Sequence, residues 1–183
     1  MAKLVAIQMV SGPDVAANLA NVEKQIKKLN PLQPTLVVLP ECFACFGAPD
    51  KQIASVKESR GQGQIQDAIS KMARQYGVWI ASGSIPLEAD DADKYTASCL
   101  LYDDRGQLRA EYQKIHLFDV SVSDNTGSYL ESRYTQAGQQ VVVVEDTPFG
   151  RIGLSICYDV RYPGLYQAMG DVDVILVPAA FTR

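Results

Sequence analysis

The apolar residues near the start of the chain change their spacing twice, which predicts a strand, a helix and a second strand. Residues 3–9 alternate between apolar and mixed positions, as in a half-buried strand. Steps of three and four then predict one apolar face of a helix, formed by Val15, Leu19, Val22, Ile26 and Leu29. Asn30-Pro31 ends this helix, and residues 35–39 are a continuous apolar run typical of a buried strand. Because the run stops at Pro40-Glu41, we expect a carboxylate at the carboxyl end of a strand.

The middle of the chain predicts a helix, a strand and a hairpin. Helical spacing runs from about residue 62 to residue 76 and is closed by Gly77, a residue suited to a left-handed C-terminal cap. A strand is expected over 78–84, followed by Pro86 and an acidic loop. Turn-forming residues then favour an antiparallel hairpin, with strands over 95–102 and 107–115 and a turn at 103–106. The sheet is therefore predicted to be mixed.

The last third of the chain combines a polar segment with a second hairpin. Residues 119–139 show no usable periodicity, and ordered loops of this length are usually functional, so we predict an active-site loop. The remaining apolar runs predict strands over 141–145, 151–157 and 172–177, with a short helix after Arg161. Early alternation of strands and helices, followed by hairpins, is typical of a layered α/β domain with helices packed on sheets.

Composition excludes several classes of function. The chain has 183 residues, of which 47% are hydrophobic and 21% charged, so we expect a single domain over residues 1–183 with a substantial core. A net charge of −4 without a basic run makes nucleic acid an unfavourable partner. No apolar stretch is long enough to cross a bilayer, so no membrane association is expected. The first residues also lack the features of a signal peptide, and a cytoplasmic location is predicted.

Histidine is scarce in this chain and cysteine is not. His116 is the only histidine, which excludes a histidine-rich metal site and leaves a Ser-His-Asp arrangement one possible base. The four cysteines, Cys42, Cys45, Cys99 and Cys157, are expected to be reduced in the cytosol. Cys42 and Cys45 have the C-x-x-C spacing of thiol exchange or of half a zinc site, but no second pair of ligands follows. We predict no metal, and a thiol-redox protein built on these two cysteines stays an alternative.

The most informative segment is 153–163, in which an apolar strand ends on Cys157 and the chain then turns polar. This arrangement resembles a nucleophile elbow. A thiol on such a turn is exposed, its thiolate is favoured by nearby helix N–H groups, and the next backbone N–H can face an oxyanion. The competing interpretation is a buried, inert cysteine, which by residue type alone is the more frequent case.

Three blocks together resemble the nitrilase superfamily of carbon-nitrogen hydrolases. Leu39-Pro-Glu41 is similar to the first glutamate motif of that family, Tyr112-Gln-Lys114-Ile-His-Leu to its lysine motif, and Ile156-Cys157-Tyr-Asp-Val-Arg161 to its cysteine motif. The blocks occur in the family's order, and Tyr129-Leu-Glu131-Ser-Arg falls where members place a second glutamate. The resemblance covers the whole chain and is greatest to the Nit branch, whose amidases act on deaminated glutathione or related ω-amides.

The resemblance implies a catalytic apparatus without a cofactor. Cys157 would attack an amide carbonyl, and Glu41 would take up its proton and pass it to the departing ammonia. Lys114, with the backbone N–H of Tyr158, would stabilise the oxyanion. The substrate would then be a small-molecule amide, and Tyr158 would lie in its binding site.

Three further residues have supporting roles in this interpretation. Glu131 would hold Lys114 by a charge-assisted hydrogen bond. Arg161, at helix spacing from the nucleophile, would pair either with a substrate carboxylate or with a structural partner. His116 would support the fold or the lysine and is not expected to be the base.

The implied fold is a four-layer α-β-β-α sandwich with the site at the carboxyl ends of its strands. Family members usually continue past Val177-Pro-Ala-Ala-Phe181 and commonly form homodimers, so we expect a C-terminally truncated member that lacks the last elements of the sandwich. Three alternatives stay open. They are nitrile or N-carbamoyl hydrolysis on the same residues, an inactive truncated chain that binds a partner, and the thiol-redox protein.

Overall fold

The computed structural model describes residues 2–47, 50–121 and 128–181. The helices are α1 (Val15–Ile26), α2 (Asp50–Ser55), α3 (Gln64–Tyr76) and α4 (Pro163–Met169). The strands are β1 (Lys3–Ala6), β2 (Thr35–Val38), β3 (Trp79–Ala81), β4 (Ile85–Glu88), β5 (Tyr95–Tyr102), β6 (Leu108–Gln113), β7 (Asp119–Ser121), β8 (Ser128–Leu130), β9 (Val143–Thr147), β10 (Gly150–Leu154) and β11 (Val174–Leu176). Two 3-10 turns follow β8 and β10, over Glu131–Arg133 and Cys157–Arg161.

Helices α1 and α3 form where the apolar spacing predicts them. The side chain of Asp14 accepts a hydrogen bond from the N–H of Ala17 and caps the start of α1. Helix α3 ends at Gly77, whose φ of 61° is the left-handed conformation expected of a C-terminal cap. The buried faces of both helices, including Val22 and Ile69, pack in one core with one face of the larger sheet.

The larger sheet has six strands and is mixed, as predicted. Its order is β1-β2-β3-β5-β4, with β6 paired to the other strands through β5. Strands β1, β2 and β3 are parallel, whereas β5 is antiparallel to β3, β4 and β6. Successive side chains point to opposite faces of a strand. Val37 accordingly lies in the core with α1 and α3, and Leu36 lies in the second core.

The second sheet packs on the other face of the first. Its order is β11-β10-β9, and the second core joins Ile152 and Leu154 of β10 to Leu36 and Leu101 of the larger sheet. Gly153, between them, faces α4, since a Cβ atom placed on it would lie 2.6 Å from the Sδ atom of Met169. The layers are therefore helices, sheet, sheet and helix, which confirms the α-β-β-α sandwich.

Two segments differ from the expectations. The strand expected over 78–84 is limited to β3, and a separate strand, β4, includes Pro86. Strand β4 lies at the end of the strand order, and on its outer side Pro86 takes part only through its carbonyl, which accepts the N–H of Glu58, so the missing N–H of proline costs no ladder hydrogen bond. The polar segment 119–139 is not simply a loop, because β7 and β8 pair in it; its residues 122–127 lie outside the described residues.

Candidate active site

Charged side chains from three separate segments meet at the carboxyl ends of strands. Glu41 follows β2, Lys114 follows β6 and Glu131 follows β8. The Nζ atom of Lys114 donates to Oε1 of Glu41 at 2.9 Å and to both carboxylate oxygens of Glu131 at 3.1 and 2.9 Å. Only 2% of the Lys114 side chain and 9% of the Glu41 side chain are exposed. We call these three residues the charge cluster.

The charge cluster holds its lysine in the protonated form. Burial alone would lower the pKa of Lys114, but the carboxylates of Glu41 and Glu131 more than offset it, and the pKa lies above its usual value. Burial raises the pKa of Glu131, against the opposing effect of the Lys114 ammonium. A fixed ammonium surrounded by two carboxylates is suited to donate hydrogen bonds to a developing negative charge.

Glu41 is fixed by the backbone on its second oxygen. Its Oε2 accepts a hydrogen bond from the N–H of Ala180 at 2.9 Å. Ala180 lies 139 positions from Glu41 in the chain, and the sequence analysis did not identify it. A backbone donor leaves no mark in the side-chain pattern, so the sequence of the Val177-Pro-Ala-Ala-Phe181 segment does not predict this contact. Both oxygens of Glu41 are thus held, one by Lys114 and one by this segment.

The turn that carries Glu41 is supported by the loop between β3 and β4. The N–H of Cys42, whose φ is 52°, donates to Oγ of Ser84 at 2.9 Å. The neighbouring Gly83 has a φ of 61°, and a Cβ atom placed on it would clash with the carbonyl group of Pro40. Glycine is therefore required here both for its left-handed backbone and for the close approach of the two chains.

Gly83→Ala is expected to destabilise the protein by about 2–4 kcal/mol, because alanine in the left-handed region costs about 1–2 kcal/mol and the Pro40 segment must also move. Gly77→Ala is the matched control. Gly77 has the same φ of 61°, but no atom lies within 4 Å of its Cβ position, so a loss of about 1 kcal/mol is expected. Urea denaturation of both variants measures the difference. If both variants lost the same free energy of unfolding, the contact between Gly83 and the Pro40 carbonyl would not be tight.

Cys157 lies on a sharp turn between a strand and a helical segment. Its φ of 47° is in the left-handed region, three residues after the end of β10 and at the start of the 3-10 turn. Its N–H donates to the carbonyl of Pro178 at 2.9 Å. Non-glycine residues adopt this conformation where the surrounding structure holds them in it, which is frequent at functional sites. The backbone thus has the geometry expected of a nucleophile elbow.

Two expectations for the Cys157 thiol were wrong. The residue is 8% exposed rather than open to solvent, because it packs in the core between the sheets. Burial and the neighbouring Glu41 carboxylate also raise the pKa of Cys157 to about 12, so its thiolate is not favoured at rest. The charge cluster contains two carboxylates and one ammonium. Its net negative charge therefore opposes ionisation of the Cys157 thiol to a thiolate. At neutral pH the side chain is a thiol beside a carboxylate.

Glu131 is placed by the short hairpin of β7 and β8. The N–H of Phe118, just before β7, donates to Oε2 of Glu131 at 2.6 Å. The ring of Phe118 also contacts the ring of Tyr158 edge-to-face, with centroids 5.0 Å apart. Phe118 therefore links Glu131 to Tyr158, the residue that follows Cys157.

The remaining predicted residues lie around the 3-10 turn. Tyr158 is half-buried against Phe118 and Tyr162. Arg161 is exposed and forms no ion pair with any described residue, so the structural salt bridge considered for it is not formed there. His116 bonds to Asp159 at 2.8 Å and not to the charge cluster.

Three further features concern the cysteines, possible metal-binding groups and membrane-spanning helices. All four cysteines are free, and Cys42 and Cys45 are not joined by a disulfide. Over residues 2–47, 50–121 and 128–181, no group of three histidine, cysteine or acidic side chains is arranged to hold a metal ion. In the same part of the chain, no helix combines the length and apolar character needed to cross a membrane.

Sequence comparison identifies the family to which these residues belong. Residues 3–181 match the profile of a family described as carbon-nitrogen hydrolase. The chain belongs to this family. The deaminated glutathione amidase of Yersinia enterocolitica is 43% identical over 186 residues, an alignment that covers 100% of this chain and 64% of that protein. The omega-amidase NIT3 of Saccharomyces cerevisiae is 31% identical over 188 residues, covering 97% of this chain and 63% of that protein.

Solved structures of the nitrilase superfamily share the fold. Nit3 of Saccharomyces cerevisiae, a member of branch 10 of the superfamily, matches with a TM-score of 0.81 and 26% identity, over 98% of this chain and 64% of that one. The NitFhit protein of Caenorhabditis elegans matches with a TM-score of 0.81 and 31% identity, over 98% of this chain and 44% of that one. The chain thus spans less than two thirds of the length of these relatives.

Proposed function

We propose that the chain is a cysteine-dependent hydrolase that cleaves a linear amide to an acid and ammonia. The observation that carries this proposal is the buried charge cluster beside a thiol on a left-handed turn. The substrate class proposed is an ω-amide, such as deaminated glutathione or the amide of a 2-oxo acid. Relatives named deaminated glutathione amidase and omega-amidase support this class.

In the first step, the sulfur of Cys157 attacks the carbonyl carbon as its proton moves to Glu41. The raised pKa of the thiol requires this assistance, because little thiolate exists at neutral pH. The carbonyl oxygen becomes an oxyanion, which Lys114 Nζ and the backbone N–H of Tyr158 stabilise. Such donors act strongly in a buried site, where each contributes about 10²–10³-fold to the rate.

In the second step, protonated Glu41 gives its proton to the nitrogen, the carbon–nitrogen bond breaks, and ammonia leaves. The acyl group stays on Cys157 as a thioester. Glu41 then takes a proton from water as the water oxygen attacks the thioester carbon. The carbon–sulfur bond breaks, the acid leaves, and Glu41 returns the proton to the sulfur, which regenerates the thiol. Glu131 keeps Lys114 in place throughout, and no cofactor enters any step.

Arg161 is the proposed partner of a substrate carboxylate. It is exposed, follows the nucleophile within the same 3-10 turn and makes no ion pair within the described residues. A cation free to bind a carboxylate suits an ω-amide of a dicarboxylic acid better than an uncharged substrate. Ammonia release from an ω-amide, compared with hydrolysis of the matching nitrile and N-carbamoyl compound, tests the proposal. A clear preference for either of the latter would replace it.

Glu41→Gln is expected to separate the two effects of this carboxylate. Loss of the negative charge should lower the pKa of Cys157, whereas loss of the base should reduce ammonia release by about 10²–10⁴-fold. The pH dependence of iodoacetamide alkylation, mapped to Cys157 by mass spectrometry, reports the pKa, and a coupled ammonia assay reports the rate. A midpoint that moves to higher pH would contradict the account of the thiol.

We further propose a homodimer and keep the cytoplasmic location as a prediction. The turn after the nucleophile leaves Val160 and Tyr162 exposed by 46% and 38%, which suits a contact between copies. Analytical ultracentrifugation of the chain measures the assembly state. A monomer at all concentrations would argue against pairing through this turn.

A further inference from the structure

A buried carboxylate that the proposed mechanism does not use lies two residues after the nucleophile. Asp159 is 0% exposed. Its Oδ1 accepts the backbone N–H of His116 at 3.0 Å and lies 2.8 Å from Nδ1 of the same residue. Its Oδ2 accepts the Tyr112 hydroxyl at 2.7 Å and the Ile156 N–H at 2.8 Å. A carboxylate offers about four acceptor positions, so its capacity is filled.

The donors come from the two segments that carry the proposed catalytic residues. Tyr112 and His116 each stand two positions from Lys114, one on either side. Ile156 directly precedes Cys157. Asp159 therefore joins the strand end that bears the lysine to the turn that bears the thiol, although these segments are about 43 positions apart in the chain.

The 3-10 turn Cys157–Arg161, which we call the nucleophile turn, depends on support of this kind. Cys157 has a positive φ, and such a conformation persists only where its surroundings determine it. The bond from Ile156 N–H to the Asp159 side chain closes the turn on one side of Cys157. On the other side, the N–H of Cys157 is held by Pro178.

The imidazole of His116 forms a further link to the same turn. Its ring stacks on the ring of Tyr162, with centroids 3.7 Å apart and planes at 8°. Because a carboxylate only accepts hydrogen bonds, Nδ1 is the ring atom that carries the donated proton. His116 thus binds Asp159 through its backbone and its ring, and packs on the residue that ends the turn.

We propose that Asp159 is a positioning residue, which fixes Cys157 and Lys114 relative to each other through its bonds to Tyr112, His116 and Ile156. The inference rests on the proposed function, since it concerns the alignment of the thiol with the oxyanion donor. Misplacement of reacting groups by about 1 Å can cost about 10²-fold in rate. The network therefore acts on the rate of the chemical step rather than on substrate affinity.

The first test is Asp159→Asn, which keeps the shape of the side chain but turns an amide NH₂ towards donors. A fall in kcat of about 10²-fold is expected, with KM within about threefold of the parent value. The matched control is Asp103→Asn. Asp103 is 1% exposed and accepts the N–H groups of Arg105 and Gln107 in the turn between β5 and β6. Its variant should lose stability and keep kcat.

Two variants of His116 separate the hydrogen bond from the ring contact. His116→Asn keeps an N–H donor near the position of Nδ1, whereas His116→Phe keeps the stacking on Tyr162 and removes the donor. We expect His116→Asn to keep kcat within about threefold and His116→Phe to lose about tenfold. The opposite order would contradict a role for the bond to Asp159.

A spectroscopic measurement reports the network without reference to activity. Because His116 is the only histidine, ¹⁵N-labelled histidine gives imidazole signals from a single ring, one from Nδ1 and one from Nε2. A slowly exchanging Nδ1 proton is expected in the parent and in Cys157→Ala, and its loss is expected in Asp159→Asn. Rapid exchange of this proton in the parent would show that the bond is not formed.

The outcomes distinguish this inference from the proposed function. If the parent releases ammonia and Asp159→Asn keeps kcat within about threefold, the inference is wrong and the function stands. If the parent releases no ammonia, the proposed function is wrong. The inference is then tested by comparing the rate of iodoacetamide alkylation at Cys157 in the parent and in Asp159→Asn. An Asp159→Asn rate that differs by about tenfold or more supports it, and a rate within about threefold overturns it. If Asp159→Asn does not fold, Tyr112→Phe replaces it in either assay, with a change of about tenfold expected.

Discussion

Cys157→Ala is expected to abolish ammonia release from an ω-amide, with a loss of about 10⁴-fold or more. The side chain supplies the sulfur that forms the thioester, and alanine has no nucleophilic atom to replace it. The backbone should be little changed, because alanine keeps the Cβ atom and the N–H that donates to Pro178. A continuous ammonia assay on parent and variant, with near-ultraviolet circular dichroism as a check on folding, measures the effect.

Cys45→Ala is the matched control for this prediction. Cys45 is also buried, at 2% exposed, and its thiol donates to the carbonyl of Pro13 rather than to the charge cluster. The control should keep its activity, and its activity also tests the thiol-redox alternative built on Cys42 and Cys45. If both variants lost activity equally, Cys157 would have no special role.

Lys114→Met is expected to cause the second large effect, on stability as well as on rate. The ammonium is 2% exposed and bonds to both carboxylates of the charge cluster. Its removal leaves the buried carboxylate of Glu41 and the partly buried carboxylate of Glu131 without a cation, at a cost of about 3–5 kcal/mol in the free energy of unfolding. It also removes an oxyanion donor, so ammonia release should fall by about 10²–10³-fold. Urea denaturation and the ammonia assay measure the two losses.

Two further variants make this prediction specific. Lys57→Met removes a lysine whose Nζ donates to the carbonyls of Ala92 and Lys94, and should cost about 1 kcal/mol with activity unchanged. Combining Lys114→Met with Glu41→Gln and Glu131→Gln removes every charge of the cluster and should recover stability without activity. If the Lys114→Met protein were as stable as the parent, the prediction that unpaired carboxylates destabilise the folded chain would be wrong.

Much of this site could be predicted from the sequence, because its residues lie where regular elements end. Glu41 follows a buried apolar run, Lys114 follows a hairpin strand, and Cys157 follows a strand that turns polar. Local periodicity predicts these strands, but the roles of Glu41 and Lys114 come from the resemblance to a known family. The resemblance to a known family added Glu131, whose polar surroundings carry no periodic pattern.

Other parts of the site depend on contacts between distant segments. Ala180 donates through its backbone to a carboxylate 139 positions away, so no side-chain pattern marks it. Asp159 falls within a motif, but its four hydrogen bonds depend on β6 and the nucleophile turn meeting in the folded chain. The raised pKa of Cys157 likewise depends on burial between two sheets and on Glu41, which lies far away in sequence. Tertiary structure sets these properties.

The central claim is that an acyl group passes through Cys157. The most direct measurement is rapid acid quenching of the chain during turnover of an activated ester or amide, followed by intact mass and peptide mapping. We predict an added acyl mass on the peptide that contains Cys157, formed before the acid product accumulates and absent from Cys157→Ala. An unmodified Cys157 during ammonia release, or an acyl group on another residue, would contradict the account.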